Sequence, residues 1–314
     1  MSGRRRIVRV PASSANLGPG YDVLGAALEL ELELEVVESG EFTFDPGGLD
    51  LPLGRENLLV RSFERLHPAD DISFKLRSEI PLARGLGSSA SAILAGLLAA
   101  DHLYELGNSR ELIFAHACEI EGHPDNVAAA LFGGFTVTAP PGAPQRGTPA
   151  DPIVLGDTAL PATSPSLPAF IDPPEGLEAI LVIPDGEVST RAARAALPPE
   201  LPVAEVVHNL SAVANLVLGI ERSDLTLIER GLADRMHQER RAHLFPRSFD
   251  VIERARDLGA IGATISGAGP TVLVWSFWQA GARVLAGLEE LCAGWGTVRR
   301  VPFSPRGARV ELPD

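Results

Sequence analysis

Residues 26–37, AALELELELEVV, alternate apolar and polar positions, with acids at nearly every polar place. A period of two predicts a strand with one buried and one wet face. Residues 72–80, ISFKLRSEI, alternate again, with Ile72, Phe74 and Leu76 on one side and Ser73, Lys75 and Arg77 on the other. Strands are also predicted at 7–10, 177–183, 260–266, 271–277 and 297–303, and a hairpin or strand at 131–138. Segments of helical length lie at 90–104, 109–121, 202–220, 224–235, 247–258 and 280–293. The two kinds of element mix without regular alternation, which predicts an α+β fold rather than a doubly wound sheet. From Pro140 to Pro174 there are ten prolines and no helical period. That stretch reads as a domain connection or a loop draped over the surface. It divides the chain into 1–150 and 151–314.

Composition narrows the function classes. The chain has 314 residues with 45% hydrophobic and 22% charged, an ordinary globular balance. Asp and Glu number 41 against 27 Lys and Arg, a net charge of -14, which argues against nucleic acid as a general partner. The apolar run Ala92–Ala100 is far shorter than the roughly 20 residues a bilayer requires, so no membrane role is expected. The start MSGRRRIVRV is basic but lacks the apolar core of a signal peptide. Two cysteines, Cys118 and Cys292, make no disulfide framework, and a cytoplasmic location is expected.

Of the 27 basic residues only Lys75 is lysine, and it sits in an alternating strand. A Walker A loop needs Gly-Lys-Ser/Thr, so that class is excluded. Protein-kinase motifs are absent, and Lys75 is a poor Schiff-base candidate.

The strongest chemical signal is the string Pro81, Leu82, Ala83, Arg84, Gly85, Leu86, Gly87, Ser88, Ser89, Ala90, Ser91. A strand ends, glycines turn the chain, and a helix opens at the serines. Glycine lets backbone approach a ligand closely, and the free N–H groups and dipole of a helix start suit a phosphate. A serine N-cap after a tight turn would produce a similar spelling without any ligand.

This string resembles the phosphate-binding motif of the GHMP kinases, whose nucleotide fold is unrelated to the P-loop. Two further segments resemble that family's other motifs in the right order: PASSANLGPGYD at 11–22 and ISGAGPT at 265–271. The spelling SSANLGPGYD, the string EGHPDNV at 121–127 with FGGF at 132–135, and the segments TRAARAALP at 190–198 and HQERR at 237–241 are most similar to its homoserine kinase branch. Ala130 and Glu239 stand where that branch usually has proline. The resemblance implies a two-domain α+β fold, an S5 domain 2-like N-terminal unit with a ferredoxin-like C-terminal one. It also implies transfer of a phosphoryl group from ATP, with Mg²⁺, to the side-chain hydroxyl of L-homoserine, a threonine-pathway step. A homodimer is compatible with it. The rivals are a GHMP kinase for another small alcohol and a non-catalytic sensor of nucleotide and metabolite.

The residue roles implied are specific. Residues 81–91 bind the nucleotide's phosphates, and Asn57 belongs to the adenine side, although a helix cap would also explain it. Glu119 holds the metal with Ser89, with Glu121 as the fallback. A carboxylate at a helix C-terminus is electrostatically misplaced, which a cation would relieve. Asn16, Asp22 and His123 contact the substrate; Asn and Asp also favour turns for local reasons. Arg194 and Arg241 clamp its carboxylate, with Arg191 and Arg240 as neighbours able to take those places. Asn126 is an amide and cannot take a proton. Catalysis is therefore expected by positioning and charge stabilisation, which a largely dissociative phosphoryl transfer tolerates.

Overall fold

The computed structural model describes residues 3–139, 154–155, 158–159 and 167–312. Most of the proline-rich run at 140–174 lies outside them.

The first sheet is built on two long strands, β1 (Arg5–Ala15) and β2 (Leu24–Glu38), paired antiparallel with a register shift at Pro11/Ala12. On β2, Leu28, Leu30, Leu32, Leu34 and Val36 are buried, so the period-two pattern is realised. Its outward acids meet arginines on the same face of the sheet: Glu33 pairs with Arg9 and Glu35 with Arg5 on the adjacent strand, and Glu31 with Arg309 one strand further. β3 (Thr43–Asp45) and β4 (Ile72–Ser78) extend the sheet beyond β2. β5 (Phe135–Val137) pairs with the start of β2.

Four helices cover this sheet: α1 (Leu58–Glu64), α2 (Ser88–Tyr104), α3 (Arg110–Glu121) and α4 (Asp125–Phe132). α2 is apolar nearly all round because it is central and covered by the sheet and its neighbours. α4 replaces the first part of the hairpin or strand expected at 131–138. The apolar run Val127–Leu131 continues a helical turn, and only 135–137 is strand, after Gly133 and Gly134 turn the chain at positive φ. A short apolar run carries no periodicity that separates the two cases.

The second half begins with β6 (Val154–Leu155) paired to β7 (Thr158–Ala159), then β8 (Ala169–Ile171), which joins the first sheet on β5. β9 (Leu177–Pro184) starts the second sheet. It is followed by α5 (Thr190–Ala195), α6 (Val203–Arg222), α7 (Leu225–Gly231), α8 (Gln238–Arg241), a single 3₁₀ turn and α9 (Pro246–Arg254). β10 (Gly262–Ile265), β11 (Val272–Phe277), α10 (Trp278–Leu291) and β12 (Gly296–Pro302) complete it in the order β10-β11-β9-β12. β13 (Arg309–Glu311) returns to β1, so the first sheet takes strands from beyond residue 150. Among the described helices, only α6 has the length and apolar composition to cross a bilayer. It packs Asn209, Ala212, Leu216 and Ile220 inward.

β9 shows why the lobes hold together. Leu177, Ala179, Leu181 and Ile183 join the core of the first lobe, while Ile180 and Val182 join a second core with Val251, Val284 and Leu288. Both faces are buried, so the strand reads as a continuous apolar run instead of alternating. Trp275 of β11 stacks on Phe135 of β5 at a centroid distance of 5.7 Å, a contact between the two sheets.

Candidate functional site

The three glycine-rich segments converge on one cleft of about 310 Å³ between the lobes. Gly87, at φ +67°, caps α2 without any side-chain hydrogen bond. The serines therefore lie inside the first turn, not at the cap, and the amides at the helix start face the cleft without a side-chain acceptor. A Cβ on Gly87 would run into Ser13 Oγ, and one on Gly85 into the backbone oxygens of Ser266 and Gly269. Ser266 ties the segments together, its hydroxyl bonding Gly85 O at 2.6 Å and Ser14 Oγ at 2.8 Å.

Ala83, Gly85, Gly87, Ser88 and Ser89 line the cleft. The rest of the string supports it. Leu86 and Ala90 are core, and Ser91 donates to Pro11 O. Arg84 holds the carbonyls of Pro184 and Asp185. Pro81 and Leu82 are not among the lining residues.

At the opposite end, charge is gathered from distant segments. Asn16 sits at φ +71° and spends its amide locally, donating to Gly267 O at 2.7 Å and accepting from Asp22 N–H at 3.0 Å. Arg194 forks onto the Asp22 carboxylate at 2.8 and 2.9 Å and donates to Tyr21 Oη. Arg241 is buried, donates from Nε to Ala193 O at 2.9 Å, and lies over the Tyr21 ring. No carboxylate pairs with it among the described residues; Nη1 lies 3.2 Å from His237 Nδ1 and 3.4 Å from Gly267 O, and the Tyr21 side chain lies within hydrogen-bonding reach of the guanidinium.

The wall between the two ends separates the two glutamates expected as metal ligands. Glu119 is turned away, its side chain 61% exposed and held by Arg65 at 2.7 Å. Glu121 is 9% exposed, lines the cleft and accepts from Ser89 Oγ at 2.6 Å. Residues two apart on a helix lie roughly 200° around the axis, so only one of the two can face the cleft. Burial raises the Glu121 carboxyl above its usual range, against the Ser89 hydrogen bond. A carboxylate and a hydroxyl in contact, beside open helix amides, fit a Mg²⁺ ion that carries a polyphosphate.

His123 leans on Asp125 at 3.0 Å, and that hydrogen bond lifts its pKa. Asn126 accepts from Ser13 Oγ at 2.9 Å in the cleft wall.

Two other expectations separate. Asn57 caps α1, accepting from Leu59 N–H and donating to Pro52 O, and does not line the cleft. Among the arginine alternatives, Arg240 faces Glu205 and Arg191 is exposed outside the cleft. Tyr21, Asp125, Ser13 and His237 were not singled out in the sequence. All four lie inside quoted motifs, but nothing local distinguishes them from turn, capping and core residues.

Comparison with known proteins completes the description. A model described as "GHMP kinases N terminal domain" matches residues 57–134, and one described as "GHMP kinases C terminal" matches 216–291. The chain is 36% identical over 312 residues to homoserine kinase of Synechococcus sp. (strain CC9902), covering 96% of this chain and 93% of that protein. It is 37% identical over 268 residues to a homoserine kinase of Thermus thermophilus, covering 84% of each. The crystal structure of homoserine kinase from Cytophaga hutchinsonii superposes with a TM-score of 0.80 at 27% identity, over 98% of this chain and 97% of that one.

Proposed function

The chain belongs to the GHMP kinase family, and we propose that it transfers the γ-phosphoryl group of ATP to the side-chain hydroxyl of L-homoserine, giving O-phospho-L-homoserine. The observation that carries this reading is the polarity of the cleft. One end offers backbone amides and the other a carboxylate with two guanidinium groups, as a nucleotide phosphate and a zwitterionic amino acid would require.

The uncapped start of α2 binds the phosphates. Ser89 and Glu121 would hold Mg²⁺, which when bound neutralises charge on the transferring group. Asp22 takes the ammonium group, and Arg241 with Arg194 takes the carboxylate through paired hydrogen bonds. In the free cleft Asp22 and Arg194 neutralise each other. A substrate bearing both charges replaces that pair without stranding either partner, whereas one bearing a single charge leaves the other unpaired. Asn126, fixed by Ser13, cannot take a proton, so rate comes from positioning and charge stabilisation.

A coupled ADP-release assay across homoserine, mevalonate, galactose, shikimate and an amino alcohol without a carboxylate tests this. Homoserine should be preferred and the amino alcohol very poor. Equal turnover of mevalonate and homoserine would overturn the assignment.

A further inference from the structure

His237 precedes α8 and is fully buried, and it belongs to neither the phosphate end nor the metal wall. Its two ring nitrogens have different partners. Nε2 is 2.7 Å from Gly18 O, a carbonyl that can only accept. Nδ1 is 3.2 Å from Arg241 Nη1, a guanidinium nitrogen that can only donate. One arrangement satisfies both: a neutral imidazole with its proton on Nε2 and a bare Nδ1. An imidazolium would set N–H against N–H at Arg241. Burial also holds the His237 pKa below its usual value.

The ring is braced from behind. Asp234, also buried, accepts from the backbone N–H groups of Met236, His237 and Gln238 and from Asn209 Nδ2. This carboxylate is saturated with donors and sets the start of α8. On the other side Gly18 belongs to the turn that carries Asn16 and Asp22, and Tyr21 packs against the imidazole at 5.4 Å. His237 therefore touches both halves of the charged end, which come from segments more than 200 residues apart.

We propose that His237 is a positioning residue for substrate recognition, a neutral bridge that accepts from Arg241 and donates to the Asp22-bearing turn. It holds the guanidinium and the carboxylate at the separation of one amino acid's two charges. The inference rests on reading this cleft end as the homoserine site. Arg241 needs such a partner. Its charge is buried without a paired carboxylate among the described residues, and besides His237 its hydrogen-bond acceptors there include the carbonyls of Ala193, at Nε, and of Gly267, 3.4 Å from Nη1. With Nη1 engaged by His237 and Gly267, the guanidinium lining the cleft offers Nη2 to a ligand.

Three variants separate the two bonds. His237→Asn puts an amide oxygen at the bond distance of Nδ1 and can still accept from Arg241. His237→Gln reaches the place of Nε2 and can still donate to Gly18. His237→Leu does neither. The expected result is a homoserine KM raised roughly 10- to 100-fold in His237→Leu and His237→Gln, much less in His237→Asn, with the ATP KM within about 2-fold throughout. A merely structural histidine would lower thermal stability and active fraction in all three without splitting the two KM values, and that pattern overturns the proposal. Nitrogen chemical shifts of the wild-type ring at neutral pH give a readout independent of turnover and of variant folding. They should report a neutral Nε2–H tautomer, and an imidazolium or an Nδ1–H tautomer overturns the bridge. If the wild type fails to phosphorylate homoserine while the tautomer is as stated, the substrate reading fails and the Arg241 bridge stands.

Discussion

The two ends of the cleft are built by different means. The phosphate end is backbone: one contiguous turn, two glycines at positive φ, and the first amides of α2. The charged end is side chains: Asp22 from the first lobe, Arg194 from α5, and Arg241 and His237 around α8. A backbone site is specified locally and tolerates side-chain change. A side-chain site depends on the packing of distant elements and on each chemical group. The wall between them, with Ser89 from one segment and Glu121 from another, joins the two designs and should be the most sensitive point.

Replacing that carboxylate should have the largest effect. Glu121→Gln keeps the volume, removes the charge, and should lower turnover on the order of 10²-fold or more, because charge stabilisation at the transferring phosphoryl group is lost. Glu119→Gln removes only an exposed pair with Arg65, worth less than about 1 kcal/mol, and should leave kcat nearly unchanged. Steady-state kinetics on both variants decides it. The reverse ranking would put the metal on the outer face of α3 and dissolve the contrast.

Arg241→Ala comes next and acts on the side-chain end alone. Removing one partner of a buried charge contact costs roughly 2–5 kcal/mol, about 30-fold to several thousand-fold in affinity. The homoserine KM should rise by at least the lower figure, the ATP KM should hold, and the preference for homoserine over a carboxylate-free amino alcohol should narrow. A weakened ATP KM with homoserine untouched would assign the arginine to the nucleotide.

Gly87→Ala is the matching test of the backbone end. The new methyl meets Ser13 Oγ and the residue must keep a φ of +67°, a strain of about 1–3 kcal/mol. The cost should fall on the ATP KM and thermal stability, while Ser88→Ala, which leaves the amides in place, should change little. Equal damage from the two would mean that hydroxyls, not amides, hold the phosphates.

The same contrast explains what could be read from the chain. The turn into α2 was legible because its glycines and the serines of the helix start stand in eleven consecutive residues. The long alternation of β2 was legible because one face is core and the other wet. The α4 helix was not, since five small apolar residues fit helix or strand equally. Which of Glu119 and Glu121 faces the cleft was not legible for a related reason: sequence gives the angle between two helix positions, not which of them points inward. His237 opens the HQERR string at 237–241, but nothing local marked what the histidine itself does. Its role exists only where Gly18 and Arg241 meet it, and a buried histidine beside a short helix is otherwise unremarkable.

The smallest expected effect concerns His123, which lies on the wall but leans on Asp125. The hydrogen bond to Asp125 raises the folded-state pKa above its unfolded value, outweighing the opposing effect of burial. A group shifted in that direction binds its proton more tightly when folded. Its contribution to stability is complete below the unfolded pKa near 6.5 and is lost as pH rises through the higher folded value. His123→Asn should therefore lower Tm more at about pH 5.5 than at about pH 8.5, the two proteins converging on the alkaline side. Thermal melts of wild type and variant across that range measure the difference directly. A gap that widens with pH would mean that the histidine is favoured neutral. The Asp125 contact would then be a neutral hydrogen bond, and the wall would carry one positive charge fewer than its geometry implies.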